Sequence, residues 1–268
     1  MTDVAPGLLM RLLGLRALGS DSFEAATVED GTDRLFGGQV AAQTLRATTL
    51  TVGPERPVHS LHAYFVRPGR PGLPLVIQVE RTRDGRSFTT RRATARQGEE
   101  TIFDLTASFQ APEPGYDWHL PGPLDVPDPD ALPSPASRMT RYGPLSPFEL
   151  RPVRNPGPEG FPAFHPFWVR AREALPEDPA LHACALAFMS DMGVVPSSRA
   201  PGRPLALAMG ASLDHAVWFH RPARADDWLL FTVEPVSNHG SRALARGTLH
   251  DRQGRLVMSM TQETLLRT

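Results

Sequence analysis

The 268-residue chain contains no lysine, only one cysteine and no long apolar segment. Its 28 basic residues are all arginine, and 29 acidic residues leave a formal net charge of -1. This balance provides no basic field, so we expect no nucleic acid among the partners. Because Cys184 has no second cysteine to pair with, an intramolecular disulfide is excluded. No run of about 18 apolar residues occurs, so we expect neither a membrane span nor a membrane partner.

Motifs for metals and cofactors are missing as well. No histidine or cysteine pair has the spacing of a zinc site, and no glycine-rich phosphate loop occurs, so we predict no metal and no cofactor. Residues 7–18 are too short and too interrupted by arginine for a signal peptide, and we predict an amphipathic helix there. The cytoplasm is therefore the expected compartment.

Proline is concentrated in the middle of the chain, with ten residues between positions 112 and 147. Proline fixes φ and donates no backbone hydrogen bond, so this stretch cannot supply inner strands of a sheet. We predict that 112–147 is a surface connector. It would join an N-terminal unit over 1–111 to a C-terminal unit over 148–268.

Both units show the same order of patterns: one or two strands, then a helix, then four strands. The predicted helices cover 38–49 and 179–192. The predicted strands are 23–28, 60–66, 75–82, 87–97 and 101–110, then 148–153, 167–172, 211–220, 228–236, 241–250 and 255–266. A single helix buries its apolar face only if the sheet curls around it. The sequence therefore predicts an α+β fold of two duplicated units that extend one curved antiparallel sheet.

The order of these segments and their sequence motifs resemble those of the acyl-CoA thioesterase II family of double-hotdog enzymes. The matching segments are RLFGGQVAAQTL (34–45), HSLHAYFVRPG (59–69), RTRDGRSFTTRRATARQ (81–97), LTASFQ (105–110), SDM (190–192), ASLDHAVWFHRP (211–222), WLLFTVE (228–234) and MTQE (260–263). The resemblance covers residues 20–268 apart from the connector. It implies a double hotdog that hydrolyses an acyl-CoA thioester, with acyl-CoA as its partner and a homo-oligomer as its assembly.

The resemblance also implies three catalytic residues. In that family an aspartate, a threonine or serine, and a glutamine hold a water molecule, and here these are Asp191, Ser212 and Gln262. Serine stands where the family more often has threonine, so the hydroxyl is retained and only the methyl that restricts χ1 is lost. The implied reaction is direct attack by water, without a covalent intermediate.

The chemistry of thioester hydrolysis requires a base for the water and donors for the oxyanion. Among the three residues only the carboxylate of Asp191 accepts a proton near neutral pH. Gly37 and Gly38 stand at the start of the first helix, where backbone N–H groups are candidate oxyanion donors. An alternative Asp214–His215 pair is disfavoured because neighbours on a strand point to opposite faces.

The predicted hairpin over residues 81–96 is rich in arginine, and the CoA part of the expected substrate carries phosphates. Arg83, Arg86 and Arg91 are candidates for contacts with CoA, since a guanidinium binds phosphate through two parallel hydrogen bonds. The alternative is a solvated strand face.

Two other functions remain open at this point. A hotdog hydratase would need an aspartate and a histidine presented together, but MGVVPSS follows Asp191 without a histidine. A non-catalytic acyl-CoA-binding protein would be expected to have lost one of the three polar residues, and all are retained.

Overall fold

The computed structural model describes residues 7–28, 32–123, 125–133, 146–153, 165–202 and 209–267. Within these residues, thirteen strands form one antiparallel sheet. The helices are α1 (Leu8–Leu13), α2 (Gly37–Thr49), α3 (Pro179–Met189) and α4 (Val194–Ser197). The strands are β1 (Arg16–Gly19), β2 (Ser22–Ala25), β3 (Val58–Phe65), β4 (Leu75–Asp84), β5 (Phe88–Gln97), β6 (Glu100–Gln110), β7 (Phe148–Pro152), β8 (Phe167–Ala171), β9 (Met209–Ser212), β10 (Asp214–Phe219), β11 (Leu229–His239), β12 (Arg242–Asp251) and β13 (Leu256–Arg267).

The two halves of the sheet join through β3 and β10, which begin the similar segments HAYFVRP (62–68) and HAVWFHRP (215–222). The strand order is β1-β2-β4-β5-β6-β3-β10-β13-β12-β11-β8-β7, and β9 pairs with β13. At the junction β3 lies antiparallel to β10, with Ala63 opposite His215. The matching segments of the two halves are therefore neighbours, and each covers an edge that the other would leave unpaired.

The two long helices lie side by side and run in opposite directions. The start of α2 meets the end of α3 through Gly38 and Asp191, and the end of α2 meets the start of α3 through Arg46 and Asp178. Asp178 is the N-cap of α3, and its carboxylate accepts a hydrogen bond from the N–H of Ala180 at 2.9 Å. With sheet on one side and α1 and α3 on the other, α2 buries even its glutamines.

The N-terminal segment differs from its prediction. The helix ends at Leu13, and Arg16–Gly19 is a strand that pairs with β2. Gly14 ends the helix, and six residues already suffice to bury Leu9, Leu12 and Leu13. The backbone of Gly14 is extended, and the residues that follow form strand hydrogen bonds with β2 instead.

Two further predicted boundaries are wrong, and both corrections concern the site. The second helix ends at Met189 rather than at residue 192, so the segment after it is a turn. The strand predicted over 211–220 breaks at Leu213, because β9 pairs with β13 alone whereas β10 lies between β13 and β3.

The described part of the connector covers the outer face of the C-terminal half. Residues 111–123 contain no strand, and Trp168 Nε1 donates a hydrogen bond to the carbonyl of Pro127 at 2.9 Å. A small apolar cluster of Trp168, Trp228 and Leu230 packs under Val126. Residues 134–145 of the predicted connector lie outside the described residues, and the unit boundaries stay a prediction.

Cys184 lies in α3 and is buried. Burial raises the pKa of its thiol to about 12, so the thiol stays protonated at physiological pH. Among the helices that the structure describes, none has the length and apolar character needed to cross a membrane.

Candidate active site

Asp191 lies between the ends of the two long helices. It follows α3 by two residues, in a turn that the left-handed backbone of Gly193 (φ 70°) completes. A carboxylate at a helix C-terminus is electrostatically unfavourable, but this one also faces the start of α2, where Oδ2 accepts a hydrogen bond from the N–H of Gly38 at 2.9 Å. The positive end of α2 therefore compensates for the negative end of α3.

Ser212 and Gln262 approach the same carboxylate from the sheet. Gln262 lies inside β13 with its side chain fully buried, and Nε2 donates to Asp191 Oδ1 at 3.1 Å and to Ser212 Oγ at 2.8 Å. Ser212 Oγ in turn donates to Asp191 Oδ1 at 3.2 Å. The three residues predicted as catalytic are thus brought together in one hydrogen-bond network. Donors on both carboxylate oxygens stabilise its charged form.

Gly37 and Gly38 allow this close approach because neither has a side chain. A Cβ on Gly37 would lie 2.6 Å from Asp191 Oδ2 and 2.8 Å from the ring of Phe65. On Gly38 it would lie 2.4 Å from the carbonyl oxygen of Phe188. The two glycines thus set the distance between α2 and Asp191. The predicted oxyanion donor at Gly38 is engaged by Asp191, whereas the N–H of Gly37 bonds to none of the described residues.

Replacing Gly38 by alanine should therefore damage both stability and activity. The new methyl group meets backbone rather than a mobile side chain, so α2 has to move away from α3. We expect a loss of about 1–3 kcal/mol in the free energy of unfolding, as for overpacked cores, together with lower turnover. Chemical denaturation and a hydrolysis assay measure the two effects.

Gly115→Ala is the matched control, because a Cβ at that connector position meets nothing within 4 Å. It should leave stability and turnover unchanged. Wild-type stability for Gly38→Ala would contradict the packing described here.

Comparison with known proteins shows to which family this chain belongs. Models of the acyl-CoA thioesterase N-terminal and C-terminal domains match residues 27–110 and 123–266. Acyl-coenzyme A thioesterase 8 from Homo sapiens is 36% identical over 289 residues, which covers 99% of this chain and 90% of that protein. The acyl-CoA thioesterase II TesB2 from Mycobacterium marinum has a crystal structure that is 39% identical, with a TM-score of 0.81 over 97% of this chain and 98% of that one.

This chain belongs to the acyl-CoA thioesterase family. Members of the family are thioester hydrolases, and the family suggested by the sequence is confirmed. A hot dog fold protein from Alicyclobacillus acidocaldarius, 21% identical, superposes with a TM-score of 0.80 over 98% of this chain and 99% of that one. The α+β double hotdog predicted from the sequence is therefore also confirmed.

The three candidate phosphate-binding arginines of this thioesterase lie apart from the hydrogen-bond network around Asp191. Arg83 and Arg86 are exposed, but Arg91 is only 1% exposed and lies beside Thr51, beyond the far end of α2. At about 1.5 Å per residue, α2 alone separates that point from Gly37 by roughly 20 Å.

All five N–H groups of the Arg91 guanidinium are used inside the protein. They bond to Thr51 Oγ1 and O, to the carbonyls of Arg83 and Thr90, and to Asp84 Oδ1 at 2.6 Å. The predicted phosphate contact therefore does not extend to Arg91, whose side chain ties β5 to the loop after α2. The sequence signal for this was the spacing along β5, because Arg91 lies two and four residues before Ala93 and Ala95 and therefore shares their inward face.

Asp214 and His215 do not contact each other as an Asp–His pair. Asp214 Oδ1 accepts a hydrogen bond from the N–H of Glu263 at 2.7 Å, which ties β10 to β13. His215 is buried, and its Nε2 lies 2.7 Å from the hydroxyl of Ser190. Our reading of the sequence missed Ser190, although its place next to Asp191 at the helix end was a signal.

Two buried histidines predict how stability depends on pH. Burial lowers the pKa of both His165 and His215 to about 4, against about 6.5 in an unfolded chain. Between pH 6.5 and 4 the unfolded chain binds protons that the folded chain refuses, so the free energy of unfolding decreases as the pH falls. Each histidine contributes up to about 1.4 kcal/mol per pH unit, and the loss is complete below pH 4.

Urea denaturation at several pH values between 7 and 4 measures this slope. His165→Asn should remove about half of the contribution that these two histidines make, whereas replacement of the exposed His239 should leave the slope unchanged. A stability that stays constant from pH 6.5 to 5 would show that the two rings are not buried as described.

Proposed function

We propose that this chain hydrolyses an acyl-CoA thioester to a carboxylic acid and free CoA, using a water molecule held by Asp191, Ser212 and Gln262. The observation that carries the proposal is the hydrogen-bond network of these side chains at the start of α2. Membership of the acyl-CoA thioesterase family supports the substrate class, since relatives such as the human protein are named for it.

The network suits direct attack by water. Gln262 takes part through its two neighbours, because its N–H groups donate to Asp191 and Ser212 and orient both. The Ser212 oxygen keeps a lone pair that can accept a hydrogen bond from a water molecule. Asp191 takes a proton as the water oxygen bonds to the thioester carbon. The tetrahedral intermediate then breaks its C–S bond, and the proton passes to the departing thiolate of CoA. No covalent bond to the protein forms.

The oxyanion of that intermediate needs donors at the same place. The N–H of Gly37 points from the positive end of α2, and it bonds to none of the described residues. As Asp191 becomes protonated its carboxylate charge disappears, so the negative charge moves from Asp191 to the oxyanion at the same helix end. We propose that Gly37 and Gly38 stabilise it there.

The proposal also covers the contacts with CoA, the location of the protein, its metabolic role and its assembly. Arg83 and Arg86 are exposed and remain candidates for the CoA phosphates. A cytoplasmic location, a bacterial source, a role in fatty-acid metabolism and a homo-oligomeric assembly also belong to the proposal.

The alternative functions are less well supported. A hydratase would need a histidine beside Asp191, but the ring of His215 bonds to Ser190 instead. A purely binding protein gives no reason for three hydrogen-bonding groups to converge on one carboxylate.

Release of free thiol from a panel of acyl-CoAs tests the proposal. Wild-type protein should release CoA from at least one of them, and Ser212→Ala should lower kcat by about ten- to hundredfold without loss of stability. Asp214→Ala should lower stability more than kcat, because Asp214 bonds only to backbone of β13 among the described contacts. A silent Ser212→Ala beside an inactive, folded Asp214→Ala would assign the chemistry to the other face of the strand.

A further inference from the structure

The hydrogen bonds to Asp191 and Ser212 hold only the nitrogen end of the Gln262 amide. Its Nε2 donates to Asp191 and Ser212, while its Oε1 is buried and has no hydrogen-bond partner in strict geometry among the described residues. The oxygen and nitrogen ends of an amide have nearly the same size. If the amide turned over, Oε1 would face the carboxylate of Asp191 and both donated hydrogen bonds would be lost.

His215 is the side chain that lies beside this Oε1. β10 and β13 pair with Ala216 opposite Thr261, and the next pair in that register is His215 and Gln262. Directly opposite residues have Cβ atoms about 5 Å apart on one face of the sheet. Both side chains are buried, and His215 Nδ1 also has no partner in strict geometry among the described residues.

The hydrogen atoms of Ser190 decide what His215 can offer. Ser190 Oγ lies 2.7 Å from His215 Nε2 and 2.8 Å from the carbonyl oxygen of Ala187, but a hydroxyl has one proton to donate. If the proton goes to Ala187, His215 carries its own proton on Nε2, and the bare Nδ1 faces Oε1 as a second buried acceptor.

If the Ser190 proton goes to His215 Nε2, the ring proton is on Nδ1 and points at Gln262 Oε1. Ser190 Oγ, both ring nitrogens of His215 and Gln262 Oε1 then all have a partner, as buried side-chain groups generally require, and the carbonyl of Ala187 gives up its hydrogen bond from Ser190. The ring is neutral at pH 7 because burial lowers the pKa of His215, while hydrogen bonding with the Gln262 side chain acts in the opposite direction.

We propose that His215 is a positioning residue for the hydrolysis. With Ser190 behind it, the Nδ1–H of His215 holds Oε1 of Gln262 and so aims Nε2 at Asp191 and Ser212. This rests on the proposed function of the Asp191 network. The ring does not touch the substrate or the water; it acts through Gln262.

Three variants separate positioning from packing. His215→Leu removes the donor, and His215→Asn keeps an amide N–H near the place of Nδ1. His182→Leu is the matched control, because His182 is also a buried histidine, bonded to the N–H of Ala225 near the opposite end of α3. For each variant kcat, KM and urea unfolding are measured with one acyl-CoA.

We expect His215→Leu to lower kcat by roughly ten- to hundredfold with little change in KM, as for a catalytic group displaced by about 1 Å. His215→Asn should recover part of this loss, and His182→Leu should lower stability without lowering kcat. In wild-type protein, two-dimensional ¹H–¹⁵N spectra of the histidine rings should show the proton of His215 on Nδ1. The resonance is assigned by its disappearance in His215→Asn.

A proton on Nε2 overturns the proposal, and this measurement does not depend on whether a variant folds. A folded His215→Leu with kcat within twofold of wild type also overturns it, as does an equal loss of kcat in His182→Leu. Asp191→Asn separates this failure from that of the proposed function. If Asp191→Asn is inactive while His215→Leu stays active, only the positioning role has failed. If wild type and Asp191→Asn do not differ, the proposed function itself has failed.

Discussion

Asp191→Asn should reduce kcat by about 10²–10⁴-fold, the range typical for the loss of a general base. Asparagine has nearly the same shape and can still accept the hydrogen bond from the N–H of Gly38 through its oxygen. It has no carboxylate to take the proton of the water. Its amide also turns N–H groups toward Gln262 Nε2, which is itself a donor. We therefore expect a folded protein with little activity, measured by release of free thiol.

The matched control is Asp178→Asn. The carboxylate of Asp178 also accepts a hydrogen bond at a helix start, from the N–H of Ala180 in α3. Asparagine caps helices about as well as aspartate, so this variant should keep its stability and its kcat. Near-wild-type turnover of a folded Asp191→Asn would show that another group accepts the proton.

Arg91→Met should lower the free energy of unfolding by about 2–4 kcal/mol, which is more than we expect for Gly38→Ala. The side chain is 2% exposed, and its removal leaves the carbonyls of Thr51 and Arg83 without their donor. Leaving a buried acceptor unpaired costs about 1–3 kcal/mol. Methionine refills most of the volume, and Asp84 is 60% exposed, so water takes over that charge.

Arg92→Met on the same strand is the control. Arg92 pairs with Asp104, but its side chain is 56% exposed, so no measurable change in stability is expected. KM for acyl-CoA should be unchanged in both variants because all donors of Arg91 are used within the protein. An Arg91→Met protein of normal stability and raised KM would show instead that Arg91 binds a phosphate of the substrate.

Much of the architecture follows from local patterns along the chain. The starts of both long helices were predictable, because Gly37 and Gly38 open one, and Asp178 with Pro179 opens the other. Alternation of apolar residues predicted most strands to within two residues at each end. The duplication predicted one continuous sheet, since equivalent strands at an edge can pair with each other.

The candidate catalytic residues came from the resemblance of whole segments to a family, because each residue alone has an ordinary structural explanation. A lone aspartate after a helix, a serine near a strand start and a glutamine inside a strand carry no local sign that they meet. Gln262 and Asp191 are 71 residues apart, and only the folded sheet brings them within 3.1 Å.

Sequence by itself determined the duplicated α+β architecture and the two helix starts, because periodicity, capping and proline content are local properties of the chain. Only the tertiary structure decided that the N–H of Gly38 is taken by Asp191, that Arg91 is enclosed, and that His215 lies beside Gln262. Each of these depends on a contact between residues from different elements. Such contacts follow from how helices and sheet pack together, and no pattern within a single segment records them.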